Sequence, residues 1–480
     1  MKDLAQSGPV VAIIGGGFTG AAVALHLARH LARRLEAGDE TASIEAARIL
    51  VIEPRARLGE GLAYATTDPS HRINVPASRM TVDTAVEDGL QAWITASGVA
   101  LSPGTQAPDG ALYPQRHLVA DYVGAQLAPH LASGRVRHLR ARATAAHRDG
   151  SGFVITLDDG SHVQADRLVI ATSHPPPGIP AAFAGLADHA GMLVDPADAA
   201  RIASIAASAR QVLVVGTGLT SADVIASLDR QGFAGRILAL SRRGLRSRGH
   251  AFGHGESPAR FGETPEITTL ALLRRIRRAV RTDAAAGLPW QATLDRVRKD
   301  GPAIWAALPA PERARLVRRL RVWWDVHRFR IAPPVQAVLD RLLAEGRLKI
   351  AAGQLLGARE QGESIALDWR PRRPAQLRHD LFDAVILTTG PAHDGILGSS
   401  ALIADLAARG LVRPDALALG LEVAQTCRAV AADGRVQDDL LIAGPLARGH
   451  VGELMGIPEV TAHAQAVAAA LAESLTTSPV

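Results

Sequence analysis

The chain has 480 residues, 47% hydrophobic and 21% charged, with a formal net charge of +6. That is the balance of a soluble globular protein too long for one ordinary core, so two domains are expected. A single cysteine, Cys427, leaves no partner for an internal disulfide or a redox dithiol. No apolar run approaches the roughly 20 residues of a membrane helix.

The opening "MKDLAQSGPVVAIIGGG" reads as a buried strand at 10–15 and not as a signal peptide, which points to a cytoplasmic protein. The strand breaks into Gly15, Gly17 and Gly20, a G-x-G-x-x-G turn, and a helical pattern runs from Thr19 to Leu35 with Gly38 as its stop. In such a turn the first glycine allows the tight bend and the second lets a pyrophosphate approach the backbone. The third allows close helix–strand packing, and the helix N-terminus faces the negative charge. "ARILVIEP", 47–54, supplies the next strand, and Glu53 at its end can accept hydrogen bonds from a ribose. The spacing to that acid exceeds the usual ~20 residues because a long helix and "EAGDETASIEAA" intervene.

Residues 88–145 mix helix and loop. "GFVITLDDGSHVQADRLVIAT", 152–172, is a hairpin about an Asp-Gly turn that feeds another buried strand. The Pro-rich 173–180 marks a domain crossing. A second strand–turn–helix unit spans about 210–243, with Gly216, Gly218 and Ser221 as G-x-G-x-x-S. After its next strand no acid follows. Ser241, Arg242 and Arg243 stand there instead, and arginine suits a 2′-phosphate by charge and bidentate geometry. The second cradle therefore leans towards NADPH, with surface arginines as the plainer reading.

An arginine-rich block covers 272–330. Its apolar spacing predicts helices with solvated arginine faces; a nucleic-acid surface is the disfavoured alternative. "FDAVILTTGP", 382–391, and "DLLIAGPLARG", 439–449, read as further buried strands, and 458–475 as a final helix.

Two cradles in one chain imply two dinucleotides, and a resident FAD reduced by a visiting NAD(P)H is the economical pairing. The fold class expected is α/β: two Rossmann-like dinucleotide-binding domains, the NAD(P)H domain inserted into the FAD domain. The FAD domain takes 1–180 and 381–480. The NAD(P)H domain takes 181–380, with an Arg-rich helical insertion at about 250–335. With no cysteine pair for disulfide substrates and no amphipathic anchor for a membrane quinone, molecular oxygen is the leading electron acceptor.

The stretches "GGGFTG", "GEGLAYATTDPSHRINVPASRM", "YPQRHLVADYV", "GTGLTSAD", "LSRRG", "WWDVHRFRIAPP", "ILTTGP" and "GPLARGHVGELMGIPE" follow one another through nearly the whole chain. In them the sequence resembles bacterial FAD/NAD(P)-binding proteins related to flavin-dependent N-hydroxylating monooxygenases and to FAD-dependent urate hydroxylase. The resemblance implies an NAD(P)H-dependent FAD monooxygenase. It implies FAD contacts at Thr19, Tyr64, Asn74, Pro76, Ala77, Arg116, Thr172, Gly390, Gly444 and Gly449. Ser173 departs from the family's usual glycine. "FAGLADHAGML" has Leu193 where a tryptophan would complete the Baeyer–Villiger linker, which argues against that reaction.

"WWDVHRFR" gathers Asp325, His327 and Arg328. The functional reading is an arginine that holds an anionic substrate with His327 as proton donor or acceptor; the structural reading is an Asp325–Arg328 pair on one helix face. Glu453 is equally a candidate flavin-side carboxylate and a candidate loop hydrogen-bonder. His250 and His254 lie in a short Gly-rich stretch better suited to a lid than to a metal. Urate hydroxylation to 5-hydroxyisourate is the first expectation, N-hydroxylation of a small amine or amino acid the second, and a substrate-free flavin redox sensor the third. The expected partners are O2 and a small anionic molecule, without nucleic acid, metal or membrane.

Overall fold

Short apolar runs alternating with helices build two sheets, each parallel in its centre. The computed structural model describes residues 8–38, 45–150, 152–390 and 393–475. Strand β1 (Val10–Ile14) pairs in parallel with β2 (Arg48–Ile52), and β2 with β3 (Val136–Leu139). The chain then forms an antiparallel flap, β4 (Ala143–Asp149), β5 (Gly152–Leu157) and β6 (His162–Ala165), before β7 (Arg167–Ile170) returns beside β1. Val11, Ala12 and Ile13 of β1 are fully buried, as a strand covered on both faces requires.

The second sheet follows the Pro-rich crossing. Its strands are β8 (Met192–Leu193), β9 (Gln211–Val215), β10 (Arg236–Ser241), β11 (Leu348–Gln361), β12 (Ser364–Pro371), β13 (Arg378–Phe382) and β14 (Ala384–Leu387). They lie in the order β13-β12-β11-β10-β9-β14-β8. Finally β15 (Arg428–Val430) and β16 (Val436–Ile442) complete the first sheet, whose order is β15-β16-β7-β1-β2-β3. One dinucleotide-binding domain is thus inserted into the other.

The return to the first domain comes later than the sequence places it. The sequence sets it at 381, but β14 pairs with β9 and β8 in the second sheet, so the crossing follows Leu387. A run such as "AVIL" suits a buried parallel strand in either sheet, and its neighbours decide which.

Between β10 and β11 lie the helices Thr269–Ala285, Trp290–Lys299, Gly301–Ala307, Ala310–Arg328 and Pro333–Ala344. Phe261, Leu272, Val297, Ile304 and Leu308 form a small separate core for this block. Arg274, Arg277, Arg278 and Arg281 are exposed at helical spacing opposite that core. Among the described residues no helix is long and apolar enough to cross a membrane.

Candidate functional site

The first glycine turn is defined by close approach. Gly15 has φ +99°, and a Cβ there would lie 2.7 Å from the Ala171 carbonyl oxygen and 3.1 Å from the Thr172 nitrogen. A Cβ on Gly20 would overlap the Gly15 carbonyl oxygen, so only glycine lets this helix pack on its own turn. A Cβ on Gly17 would stand 3.2 Å from the Gly61 Cα, which brings the 59–64 segment across the turn. Glu53 is buried, and its Oε2 accepts the Gly16 N–H at 2.8 Å. The returning chain meets the same turn: Gly444, at φ +75°, packs against the Thr19 side chain.

Around it, Tyr64 lies edge-on to Phe18 with ring centroids 6.3 Å apart. Burial pushes the Tyr64 hydroxyl up to about 12, against the pull of the Arg116 charge. Ala77 is buried and donates its N–H to Leu112 O at 2.9 Å, directly after Pro76 at the head of a short turn of helix. Asn74 offers its carbonyl to His250, whose Nε2 is 3.0 Å away. His250 also packs 5.1 Å from the Tyr113 ring, so the stretch read as a lid is anchored to the first domain. Gly449 is closed off by the Asp415 carboxylate, and its carbonyl accepts the Trp305 indole N–H at 3.1 Å. Gly390 is exposed, and a Cβ there would meet nothing within 4 Å.

The second turn is built alike, with Gly216 at φ +131° against Thr388. Gly218 differs, since a Cβ there would meet nothing within 4 Å. Ser221 is buried in the helix that follows. Ser241 stands 2.8 Å from Thr217 Oγ1, hydroxyl to hydroxyl, where the first turn has its carboxylate. Arg242 and Arg243 are exposed beyond it, and the Arg243 guanidinium lies 5.8 Å over the Trp323 ring.

A buried charged seam joins the helical insertion to the 448–459 segment. Arg298 grips Glu459 through two contacts of 2.5 and 2.9 Å, and Arg328 lies 3.4 Å from Glu459 and 3.9 Å from Glu453. Arg330 pairs with Asp295 at 2.8 Å. The Trp324 indole N–H donates to Glu453 Oε2 at 3.3 Å. Several buried polar atoms here have no partner in the protein: Gln291 Oε1, Asp325 Oδ1, Arg328 Nε, Arg330 Nε and Glu453 Oε1. Unsatisfied groups of this kind are costly in a folded interior, and their concentration in one seam marks a place for a polar ligand or ordered water. Burial pushes the Asp325 carboxyl above the usual carboxylate range, opposed by Arg321 and Arg448.

The "WWDVHRFR" residues part company in this seam. Asp325 takes Arg321 at 3.5 Å as its ion partner, not Arg328, while Arg328 turns to the glutamates. His327 faces away, 2.7 Å from the Trp323 carbonyl and edge-on to Trp290 at 5.0 Å. Glu459 and Arg448 lie near Glu453 in the 444–459 stretch, but a single Glu or Arg there carries no local signal, and only the fold brings Arg298 to Glu459. His254 stays on its own loop, 3.0 Å from the Gly255 carbonyl, and no group of metal-ligating side chains gathers among the described residues.

The comparisons agree with this architecture. Residues 12–175 match a family described as FAD-NAD(P)-binding. Ornithine hydroxylase from Pseudomonas aeruginosa, in its reduced form, superposes with a TM-score of 0.62 at 14% identity, over 98% of this chain and 100% of its own. L-lysine 6-monooxygenase from Pseudomonas syringae does so with 0.62 at 15%, over 97% and 99%. The FAD-bound cadaverine monooxygenase of desferrioxamine biosynthesis from Erwinia amylovora gives 0.62 at 13%, over 98% and 95%. No curated protein matches the sequence. The likeness, over 97–98% of the chain, establishes the fold: two Rossmann-like dinucleotide-binding domains, one inserted in the other.

Proposed function

We propose that the chain is an NAD(P)H-dependent FAD monooxygenase that hydroxylates the nitrogen of a small amine or amino acid. Support comes from the family match, from the end-to-end likeness to hydroxylases of ornithine, lysine and cadaverine, and from the seam itself. The observation that carries the substrate class is a buried carboxylate oxygen, Glu453 Oε1, which accepts no hydrogen bond and whose nearest cation, Arg328 Nη2, stands at a long 3.9 Å. A carboxylate of this kind accepts hydrogen bonds from an ammonium.

FAD fits the first turn. Gly15, Gly17 and Gly20 put no side chain between the turn and a pyrophosphate, Glu53 has a buried carboxylate at the ribose position, and Thr19, Gly444 and Tyr64 adjoin the turn. NAD(P)H fits the second, at Gly216, Gly218 and Ser221, with Arg242 and Arg243 available to a 2′-phosphate. FAD held there would supply the means of passing electrons from the nicotinamide to oxygen. The sum is R–NH2 + O2 + NADPH + H+ giving R–NHOH + H2O + NADP+. The chain's own part is to hold the amine at Glu453, to accept its proton at the seam's carboxylates, and to exclude water with Trp305, Trp324 and the anchored 250 loop.

Urate hydroxylation is the second reading. It draws on the unpartnered Arg328 and Arg330 Nε atoms, which suit a planar anion. Against it, both arginines already face carboxylates, which lowers the seam's appetite for another anion. One assay separates them: NAD(P)H oxidation by the purified protein with ornithine, lysine, cadaverine, small amino acids and urate, alongside hydroxylamine and peroxide. Amine-stimulated turnover yielding a hydroxylamine supports the first reading. Stimulation by urate alone, without matching peroxide, transfers the assignment to the second.

A further inference from the structure

The helix after the second glycine turn, Leu219–Arg230, carries Asp223, Ser227 and Arg230 at i, i+4 and i+7, on one face. All three meet the first domain. Arg116 Nη2 lies 2.7 Å from Asp223 Oδ2. Ser227 Oγ is 3.0 Å from His71 Nε2, and Arg230 binds Asp68 through Nε at 3.0 Å and Nη2 at 3.2 Å. Asp223 and Ser227 are buried.

The first-domain partners are themselves held. Arg116 Nε donates to Arg72 O at 2.9 Å, and His71 Nδ1 stands 2.7 Å from Thr66 Oγ1. Asp68 Oδ1 accepts the Ser70 N–H at 2.8 Å. Two fixed polar rows facing one another define a single register, whereas apolar faces of similar area tolerate sliding. Truncating one member of such a buried charged pair leaves the other uncompensated, so the register depends on each.

We propose that the Arg116–Asp223 pair positions the second dinucleotide domain against the first, so that the nicotinamide of a nucleotide whose pyrophosphate sits at Gly216–Gly218 meets the flavin of an FAD whose pyrophosphate sits at Gly15–Gly17. This rests on the two-cofactor reading above. Asp223 is a positioning residue: it lies on the helix that the second turn begins and acts through Arg116. The Arg116 charge also acts at a distance on the Tyr64 hydroxyl near the first turn. Ser227–His71 and Arg230–Asp68 continue the seam outward, with Arg230 the most exposed member.

The test compares wild type, Asp223→Asn and Ser227→Ala, each purified with its flavin. Asp223→Asn keeps size and loses charge. Its flavin content is expected to equal wild type, its nucleotide half-saturation to change less than threefold, and its anaerobic flavin reduction at saturating NADPH to slow at least tenfold. Hydrogen exchange is expected to rise in 66–72 and 219–230 and to stay at the wild-type level elsewhere. Ser227→Ala, which removes one neutral contact, is expected to slow reduction two- to threefold and serves if Asp223→Asn does not fold. Reduction at the wild-type rate overturns the proposal, and so does slowing that merely tracks flavin loss or a rise in exchange throughout the domain. If wild type holds no flavin or accepts electrons from neither nucleotide, the two-cofactor reading fails on its own. The exchange comparison then decides the docking seam: unchanged exchange at 66–72 and 219–230 in Asp223→Asn overturns it.

Discussion

The two glycine turns share a plan and differ in what surrounds them. At the first, the middle glycine is crossed by the 59–64 segment, the acid Glu53 is buried on the turn itself, and the returning Gly444 packs on Thr19. At the second, the middle glycine faces open space, hydroxyls replace the acid, and the two arginines are exposed. A ligand enclosed by several distant chain segments leaves slowly; one resting on a turn whose middle glycine is open exchanges more freely. The difference fits the proposed assignment of a resident cofactor to the first turn and a visitor to the second.

The sharpest way to break it is a matched pair of alanine substitutions. Gly20→Ala places a Cβ on the Gly15 carbonyl oxygen and is expected to cost about 1–3 kcal/mol of stability, or more, through backbone displacement, together with flavin loss. Thermal unfolding and bound-flavin content would register both. Gly218→Ala enters open space at an ordinary φ of −89° and is expected to leave stability within about 0.5 kcal/mol while weakening nucleotide binding. Equal losses from the two would erase the distinction.

Glu53→Gln comes next. It removes a charged acceptor from the Gly16 N–H and is expected to weaken flavin binding about tenfold or more, a loss of roughly 1.5–3 kcal/mol, read by reconstitution of the stripped protein. Unchanged affinity would remove Glu53 from the cradle. Arg242→Ala with Arg243→Ala is expected to raise KM for NADPH about tenfold and that for NADH much less, as charge-assisted phosphate contacts require. Equal rises would point to the Arg243–Trp323 stacking and not to a phosphate.

The smallest effect concerns pH. Burial lowers both His250 and His463 to about 4, the first aided by Arg330 and the second by His450. Between their ordinary value near 6.5 and about 4, the unfolded chain binds more protons than the folded one, so stability falls as pH falls through that window. His463 accepts the Gly444 N–H at Nδ1, 3.1 Å away, and faces Cys427 Sγ with Nε2 at 3.1 Å. In His463→Gln the drop in Tm from pH 7 to pH 5 should shrink by a few degrees; an unaltered slope would mean that this imidazole titrates normally.

Local signals made most of the fold legible. The glycine turns, the apolar runs of β1, β9 and β16, and the Asp-Gly hairpin each encode their structure within a few residues. The arginine faces of the insertion follow from spacing alone. What escaped depends on pairing across the chain: β14 belongs to the second sheet because of β8 and β9, and Asp325 and Arg328 separate because Arg321 and Glu459 compete for them. The Trp305–Gly449 and Arg116–Asp223 contacts join residues more than a hundred positions apart, and no local pattern announces them.

The measurement that bears most directly on the central claim is the visible spectrum of the freshly purified protein, followed by cofactor release on denaturation. The account predicts an oxidised-flavin spectrum, one FAD per chain, and its loss in Gly20→Ala but not in Gly218→Ala. A colourless protein that takes up no FAD on reconstitution would contradict it.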